Sequence, residues 1–230
     1  MGEFSVLREL APDLWVTERP LRFGGVEVGT RMSVIRLRDG GLFLHSPVPI
    51  DPEVRRGLDA LGPVRFAVAP NRFHHLYIAE YPLLYPEMKL FAAPGLEQKR
   101  KDIAWEGILD DHAPPAWAGE IDQLFFSGYP LANEVAFFHP TSRTLLLTDL
   151  AVNFRKDSPA LTRIFFWLLR AYGRFGPSVL ERLLIRDRPA ARACLNRILE
   201  WDFDRVIVAH GQVLTSGGRE ALRSGYAWLL

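Results

Sequence analysis

The sequence predicts an α/β protein built on a mixed β-sheet, and three observations carry that expectation. Apolar runs of strand length alternate with stretches whose apolar residues recur at helical spacing. Hairpin signals stand near both ends of the chain, which brings antiparallel pairing into the sheet. No internal repeat, low-complexity tract or linker interrupts the 230 residues, so the expectation is one domain over 1–230, carrying a helical insertion at about 155–187.

The elements follow in order. "RMSVIRLR" and "LFLHS" flank Asp39-Gly40-Gly41, a strong hairpin signal. "DPEVRRGLDALG" offers Asp51 as N-cap, Pro52 at the first helical position and Gly62 as a stop, with Val54, Leu58 and Leu61 on one face. "VRFAVA" (64–69) is a short apolar strand. A short helix is expected over Leu76 to Leu84, ended by Pro86. "KLFAA" is a further strand, "PGLEQKRKDIAW" opens a polar helix, and "DHAPPAWAG" is a proline-rich loop. Three strands then crowd together at 121–128, 134–140 and 143–150, the last two joined by a turn at Pro140-Thr141-Ser142. Residues 159–200 read as three helices, "DRVIVAHG" (204–211) as a strand ending in His210, and "SGGREALRSGYAWLL" as a final helix opening near Ser216.

Composition narrows the function. Twenty-eight basic against 27 acidic side chains give a formal charge of +1, with no basic stripe, so nothing argues for nucleic acid. One cysteine, Cys194, excludes an intrachain disulfide and a cysteine metal cluster; its helical spacing with Ala190 and Ile198 makes it core. No apolar stretch reaches the roughly 18 residues of a membrane span, and "MGEFSVLREL" lacks a signal-peptide pattern, so the expected location is cytoplasmic.

Chemistry gathers where apolar strands run out. His74-His75 follow "VRFAVAPNRF", Asp149 follows "TLLLT", and His210 follows "VIVA". Sites in α/β folds collect at the carboxyl ends of strands, and His and Asp supply the nitrogen and oxygen ligands of zinc and related metals. Adjacent side chains on a strand point to opposite faces, so His74 and His75 can share one ion only if the chain bends there. Each residue alone is equally the sort that caps a helix or satisfies loop amides. His112 and His139 read as surface residues, and Ser46 has no identifiable base.

The order of elements resembles the metallo-β-lactamase superfamily over roughly 12–215. "RMSVIRLRDGGLFLHSPV" is similar to its opening hairpin and "VRFAVAPNRFHHLYIAEYPLLYPEMKLFAAPG" to its strand, metal motif, helix and next strand. "LFFSGYPLANEVAFFHPTSRTLLLTDL" is similar to its Gly-His segment followed by "lFtGD", and "FDRVIVAHG" to its closing "pgHG". "LFLHSPV" points to a divergent branch of that superfamily. The resemblance implies a four-layer αβ/βα sandwich of two mixed sheets with helices outside.

The family's H-x-H-x-D-H motif is degenerate here. With its Asp-His on His74-His75, its first two histidines fall on Pro70 and Arg72, or on Asn71 and Phe73 in the neighbouring register, and the third falls near Tyr129. The ligands of one metal position are thus missing. The other position would be built from His74, His75, Asp149 and His210. Arg72 argues against a second ion, because a guanidinium about 4 Å from a unit charge is opposed by roughly 4 kcal/mol at an effective dielectric near 20.

Two expectations follow. The first is a hydrolase of an ester, thioester, amide or phosphoester small molecule, with one divalent metal: zinc, or else iron or manganese. Asp149 would bind metal and orient the nucleophile, and Tyr129 or Arg72 would stabilise the developing anion; His45 would be structural support. The second is a metal-free, non-catalytic binding module that keeps the fold. The aromatic run within 161–175 reads as core packing, as a lid over the site, as a homodimer contact or as a membrane-surface patch.

Overall fold

The computed structural model describes residues 6–230. Its strands are β1 (Arg8–Ala11), β2 (Leu14–Arg19), β3 (Arg22–Phe23), β4 (Val26–Glu27), β5 (Thr30–Arg36), β6 (Leu42–His45), β7 (Val64–Ala69), β8 (Lys89–Ala92), β9 (Gly107–Ile108), β10 (Asp122–Phe125), β11 (Val135–His139), β12 (Thr144–Leu146) and β13 (Arg205–Ile207). Its helices are α1 (Pro52–Leu61), α2 (Leu96–Lys99), α3 (Ala160–Leu168), α4 (Val179–Leu184), α5 (Arg188–Glu200) and α6 (Gly218–Gly225).

One sheet runs β1-β2-β5-β6-β7-β8-β9 and the other β10-β11-β12-β13, with β3 and β4 forming a separate ribbon. Both large sheets are mixed: β6, β7, β8 and β9 run parallel, as do β12 and β13, and the other pairs are antiparallel.

Strand alternation builds the layers. On β6, Phe43 joins Val68 and Ile35 in a core shared with Val135, Phe137, Leu146 and Ile207 of the second sheet. Leu42 and Leu44 point the other way and pack with Val54 and Leu58 of α1. On the second sheet, Ala136, Leu145 and Val206 turn outward to meet Ala191, Leu195 and Ile198 of α5 and Leu222 of α6. The result is helix, sheet, sheet, helix: a four-layer sandwich. Trp117 fills the middle, edge-on to Phe43 and Phe91, and its indole N–H donates to Gln123 Oε1 at 3.1 Å.

Local chemistry explains most boundaries. Asp51 caps α1 by accepting from the amides of Glu53 (3.0 Å) and Val54 (2.9 Å). The expected helix over 76–84 is instead a 3-10 segment, Ile78–Leu83, because Pro82 inside it has no N–H to continue an α-helical ladder. The expected polar helix from Pro94 is one turn, α2, left at Arg100, whose guanidinium pairs with Asp102 at 2.7 Å. His139 is buried rather than at the surface, since its Nδ1 is held 2.8 Å from Ser142 Oγ in the turn; His112 is exposed and Cys194 is buried.

His45 lies edge-on to Phe137, 5.2 Å between centroids. Burial, and then the nearby His74, lower its pKa to about 3 from the ordinary 6.5. Below pH 6.5 the unfolded chain takes up a proton that the folded chain refuses, so this contribution to stability is present above 6.5 and is lost as pH falls toward 3. The urea midpoint is therefore expected to drop on acidification from neutral pH, and less steeply in His45→Leu; equal slopes for the two proteins would contradict the assignment.

Candidate metal centre

The parallel pairs β6–β7 and β12–β13 end at one edge of the sandwich, and the loops leaving them converge. Ser46 follows β6, Asn71 and His74 follow β7, Asp149 follows β12, and His210 follows β13. The amide of Val135 donates to the Pro70 carbonyl at 2.8 Å, which ties the two sheets together beside these loops.

His74, Asp149 and His210 each present a ligand atom, all within 4.8 Å of one another, and they are the one such His/Cys/Asp/Glu group among the described residues. His74 Nε2 lies 3.5 Å from Asp149 Oδ2, and His210 Nε2 lies 3.4 Å from Oδ1. The side chains are 7%, 20% and 12% exposed for His74, Asp149 and His210, so the group is shielded yet open to solvent on one side.

Each imidazole is held by its other nitrogen. His210 Nδ1 sits 2.8 Å from the Gly29 carbonyl, which can only accept, so Nδ1 carries the proton. In the neutral ring Nε2 then aims a lone pair at a carboxylate oxygen. Such a pair attracts only with a positive charge in or between the groups: an imidazolium proton or a bound cation. His74 Nδ1 is 2.8 Å from Ser46 Oγ, which can act as donor or acceptor. This outer hydrogen bonding is how metal-ligating histidines are oriented.

The spacing fits a cation. Ligands about 2.0–2.2 Å from a tetrahedral ion are about 3.3–3.6 Å apart, and the 3.5 Å from His74 to Oδ2 and the 3.4 Å from His210 to Oδ1 each fall there, so an ion between the two rings would face both oxygens of Asp149. The same separations are long for a charge-assisted N–H···O bond, which is about 2.7–2.9 Å. Burial would raise the Asp149 carboxyl, but the His74 and His210 rings hold it well below the usual carboxylate range. Burial would lower His210, and the adjacent Asp149 carboxylate, helped by the Gly29 carbonyl, outweighs it, so its pKa is raised.

The site rests on a network of residues that are not themselves ligands. Glu134, fully buried, accepts the amide of Thr148 on Oε1 (2.7 Å) and those of Asp149 (2.7 Å) and Leu150 (3.2 Å) on Oε2. Burial and the Asp149 charge push its carboxyl up, against these donors and Asn71. Asn71 Oδ1 accepts the amides of Phe73 and His74, both at 2.8 Å, which turns its NH2 toward the acids. That NH2 reaches Asp149 Oδ2 (2.6 Å), Thr148 Oγ1 (2.9 Å) and Glu134 Oε2 (3.1 Å). Arg31 secures the His210 loop from behind, donating to the carbonyls of Val208 and Gly211 and pairing with Glu18 at 2.8 Å. Gly211 has φ +90°, and a Cβ there would stand 2.3 Å from the Asn153 carbonyl oxygen, so only glycine can follow His210.

Not every expected residue joins this group. His75 stands apart: its Nδ1 lies 3.0 Å from Arg100 Nη1, which can only donate, so that lone pair is occupied and Nε2, buried without a partner, carries the proton. Burial and then Lys99 and Arg100 lower its pKa to about 4. Arg72 straps the loop after β10, donating to the Pro130 carbonyl at 3.2 Å. Tyr129 is buried, and burial followed by the charge of Asp149 raises its hydroxyl, which stays protonated at neutral pH. Asn71, Glu134 and Ser46 were passed over in sequence because none reads as a metal ligand in this motif. The one available signal was Asn71 itself, an Asx-turn former placed three residues before His74.

Glu134→Gln replaces one acceptor oxygen with a donor that faces backbone N–H groups. It is expected to cost about 3 kcal/mol in urea denaturation, since an unsatisfied buried polar group costs about 1–3 kcal/mol. Unchanged stability would mean that the loop finds other acceptors.

A family model described as a domain of unknown function, DUF4336, matches residues 12–172. No curated protein matches the chain. Among solved structures, DIM-1 metallo-β-lactamase exposed to ceftazidime is similar over 97% of both chains, with TM-score 0.66 at 15% identity. FIM-1 metallo-β-lactamase from Pseudomonas aeruginosa, in its mono-zinc form, has TM-score 0.63 at 11% identity over 97% of this chain and 92% of that one. The metal-soaked Flv1 flavodiiron core from Synechocystis sp. PCC6803 has TM-score 0.65 at 14% identity, over 97% of this chain and 60% of that one. At such identities the likeness is one of fold. The chain has the metallo-β-lactamase fold and belongs to the DUF4336 family.

Proposed function

We propose that the protein is a mononuclear metal-dependent hydrolase whose ion is held by His74, Asp149 and His210. The observation that carries this is the convergence of two imidazole nitrogens on one carboxylate at separations suited to a shared cation, each ring anchored behind by Ser46 or Gly29. Three protein ligands rather than four leave a coordination position open, as hydrolytic sites require. A divalent cation there would act as Lewis acid and acidify a water molecule near neutral pH. Zinc suits two nitrogens and one oxygen best, with iron or manganese as alternatives.

The chain's own groups supply the rest. Asp149 would hold the ion, and Asn71, donating to its Oδ2 at 2.6 Å, fixes the carboxylate plane with Oδ1 facing His210. Tyr129, whose hydroxyl burial and the Asp149 charge keep protonated, is assigned as the donor to charge that develops on a carbonyl or phosphoryl oxygen. Arg72 is committed to Pro130 and acts as a strap rather than as an anion clamp. His75 supports the loop through Arg100 and does not contribute a ligand. The substrate class is an ester, thioester, amide or phosphoester small molecule.

A second reading has its own observation. Asn71 donates to Asp149 at 2.6 Å and the Ser46 and Gly29 bonds hold both rings without an ion, so a metal-free binding module is self-consistent.

Metal analysis of protein purified without chelator separates the two. The hydrolase reading expects about one zinc, iron or manganese per chain, lost in His74→Ala and His210→Ala and retained in His75→Ala. Saturation at 100 times Kd is expected to raise stability by about 2.7 kcal/mol. No metal after reconstitution, with unchanged melting on adding zinc, would establish the metal-free reading. Turnover of generic ester, thioester or phosphodiester probes, removed by chelation, then names the substrate class.

A further inference from the structure

Helices α3 and α4 expose apolar side chains that the core does not need. The inner face of α3 is complete: Phe166 stacks on Phe154 with centroids 3.9 Å apart, and Thr162 Oγ1 donates to the Glu27 carbonyl at 2.5 Å. Its outer face carries Leu161, Ile164, Trp167 and Leu168, spaced three, three and four residues from their neighbours on one stripe. α4 starts against the end of α3, the Val179 amide donating to the Leu169 carbonyl at 2.9 Å, and adds Leu180 and Leu183. These six side chains are between 47% and 71% exposed. A contiguous apolar surface rimmed by polar groups marks a contact site.

The rim identifies what makes the contact. Residues 160–188 hold six arginines and two carboxylates, Glu181 and Asp187, whereas the whole chain is only +1. Both carboxylates are occupied as helix caps: Glu181 Oε2 accepts the Ser178 amide and Asp187 Oδ1 the Ala190 amide. Ten arginines elsewhere have a carboxylate within ion-pair distance. Among the described residues, none of Arg163, Arg170, Arg174, Arg182, Arg186 or Arg188 does, and Arg170, Arg174, Arg186 and Arg188 are exposed. Arg182 and Arg188 lie over the Trp228 ring, at 5.5 and 5.6 Å. A second copy of the chain on this face would bring the exposed Arg170, Arg174, Arg186 and Arg188, none with a carboxylate partner, against their own copies, which disfavours a symmetric pair. An anionic surface with an apolar interior answers both features at once.

We infer that α3 and α4 dock the protein on an anionic phospholipid bilayer. Leu161, Ile164, Leu168, Leu180 and Leu183 enter the acyl boundary, Trp167 sits at headgroup level, and the arginines meet the phosphates. The attachment is peripheral and reversible, because nine residues of α3 lie along the surface and cannot cross it.

The test is co-sedimentation of the full chain with phosphatidylcholine vesicles, with and without phosphatidylglycerol. Binding is expected only with the anionic lipid, and it weakens as salt is raised. Trp167→Ala combined with Leu168→Ala is expected to lower the partition coefficient by about tenfold. Arg170→Glu combined with Arg174→Glu is expected to lower it by at least about tenfold. All four positions are exposed, and far-ultraviolet circular dichroism matching the unaltered chain confirms that the variants fold. Loss of binding in both variants supports docking. No binding to anionic vesicles overturns it, as does equal binding by the variants. A concentration-dependent dimer dissolved by Leu168→Glu, without vesicle binding, overturns it in favour of a contact between copies.

Discussion

Three consecutive backbone N–H groups, those of Thr148, Asp149 and Leu150, leave the end of β12 with no strand or helix to receive them. A buried turn cannot carry three orphan donors, each costing about 1–3 kcal/mol. Glu134 receives all three, and its position just before β11 makes that reach short. The remaining lone pair meets Asn71, which in turn caps the chain entering His74. One buried carboxylate thereby sets the direction of Asp149 and, through Asn71, of His74. The site is the outcome of a backbone satisfaction problem at the junction of two sheets.

The fold was largely legible in sequence because its signals are local. Asp39-Gly40-Gly41 makes its hairpin, Asp51-Pro52 opens α1, and the apolar runs at 64–69 and 89–93 become adjacent parallel strands. The clustering of His74, Asp149 and His210 was legible as well, since each ends a strand. What escaped were decisions made by partners distant in sequence. His75 looks equivalent to His74 until Arg100, 25 residues on, occupies its nitrogen. Glu134 reads as an ordinary residue between a loop and a strand until the Thr148 amide, 14 residues away, is counted. The run at 161–175 carries large apolar residues on more than one face, and periodicity cannot tell which of them meets the core.

The degenerate motif takes on a coherent physical form. Where the H-x-H-x-D-H pattern that the sequence resembles has histidines, this chain has Pro70 and Arg72, and both make bonds of their own. The Pro70 carbonyl accepts from Val135 across the sheets, and Arg72 straps Pro130, while the Arg72 amide donates to Ala132. Both positions fasten the β10–β11 loop to the β7 loop. What remains is a smaller cluster whose supports are better developed than its ligand set.

The clamp between Arg31 and the Val208 carbonyl spans 177 residues, and β12 pairs with β13 across about sixty residues of intervening helices. Contacts of such long range are closed late and against chain entropy. The cluster of His74, Asp149 and His210 therefore does not exist in any partly folded chain that lacks its last strand. An ion or ligand that needs all three side chains cannot guide early folding steps. It would latch the finished topology, slowing unfolding rather than speeding assembly.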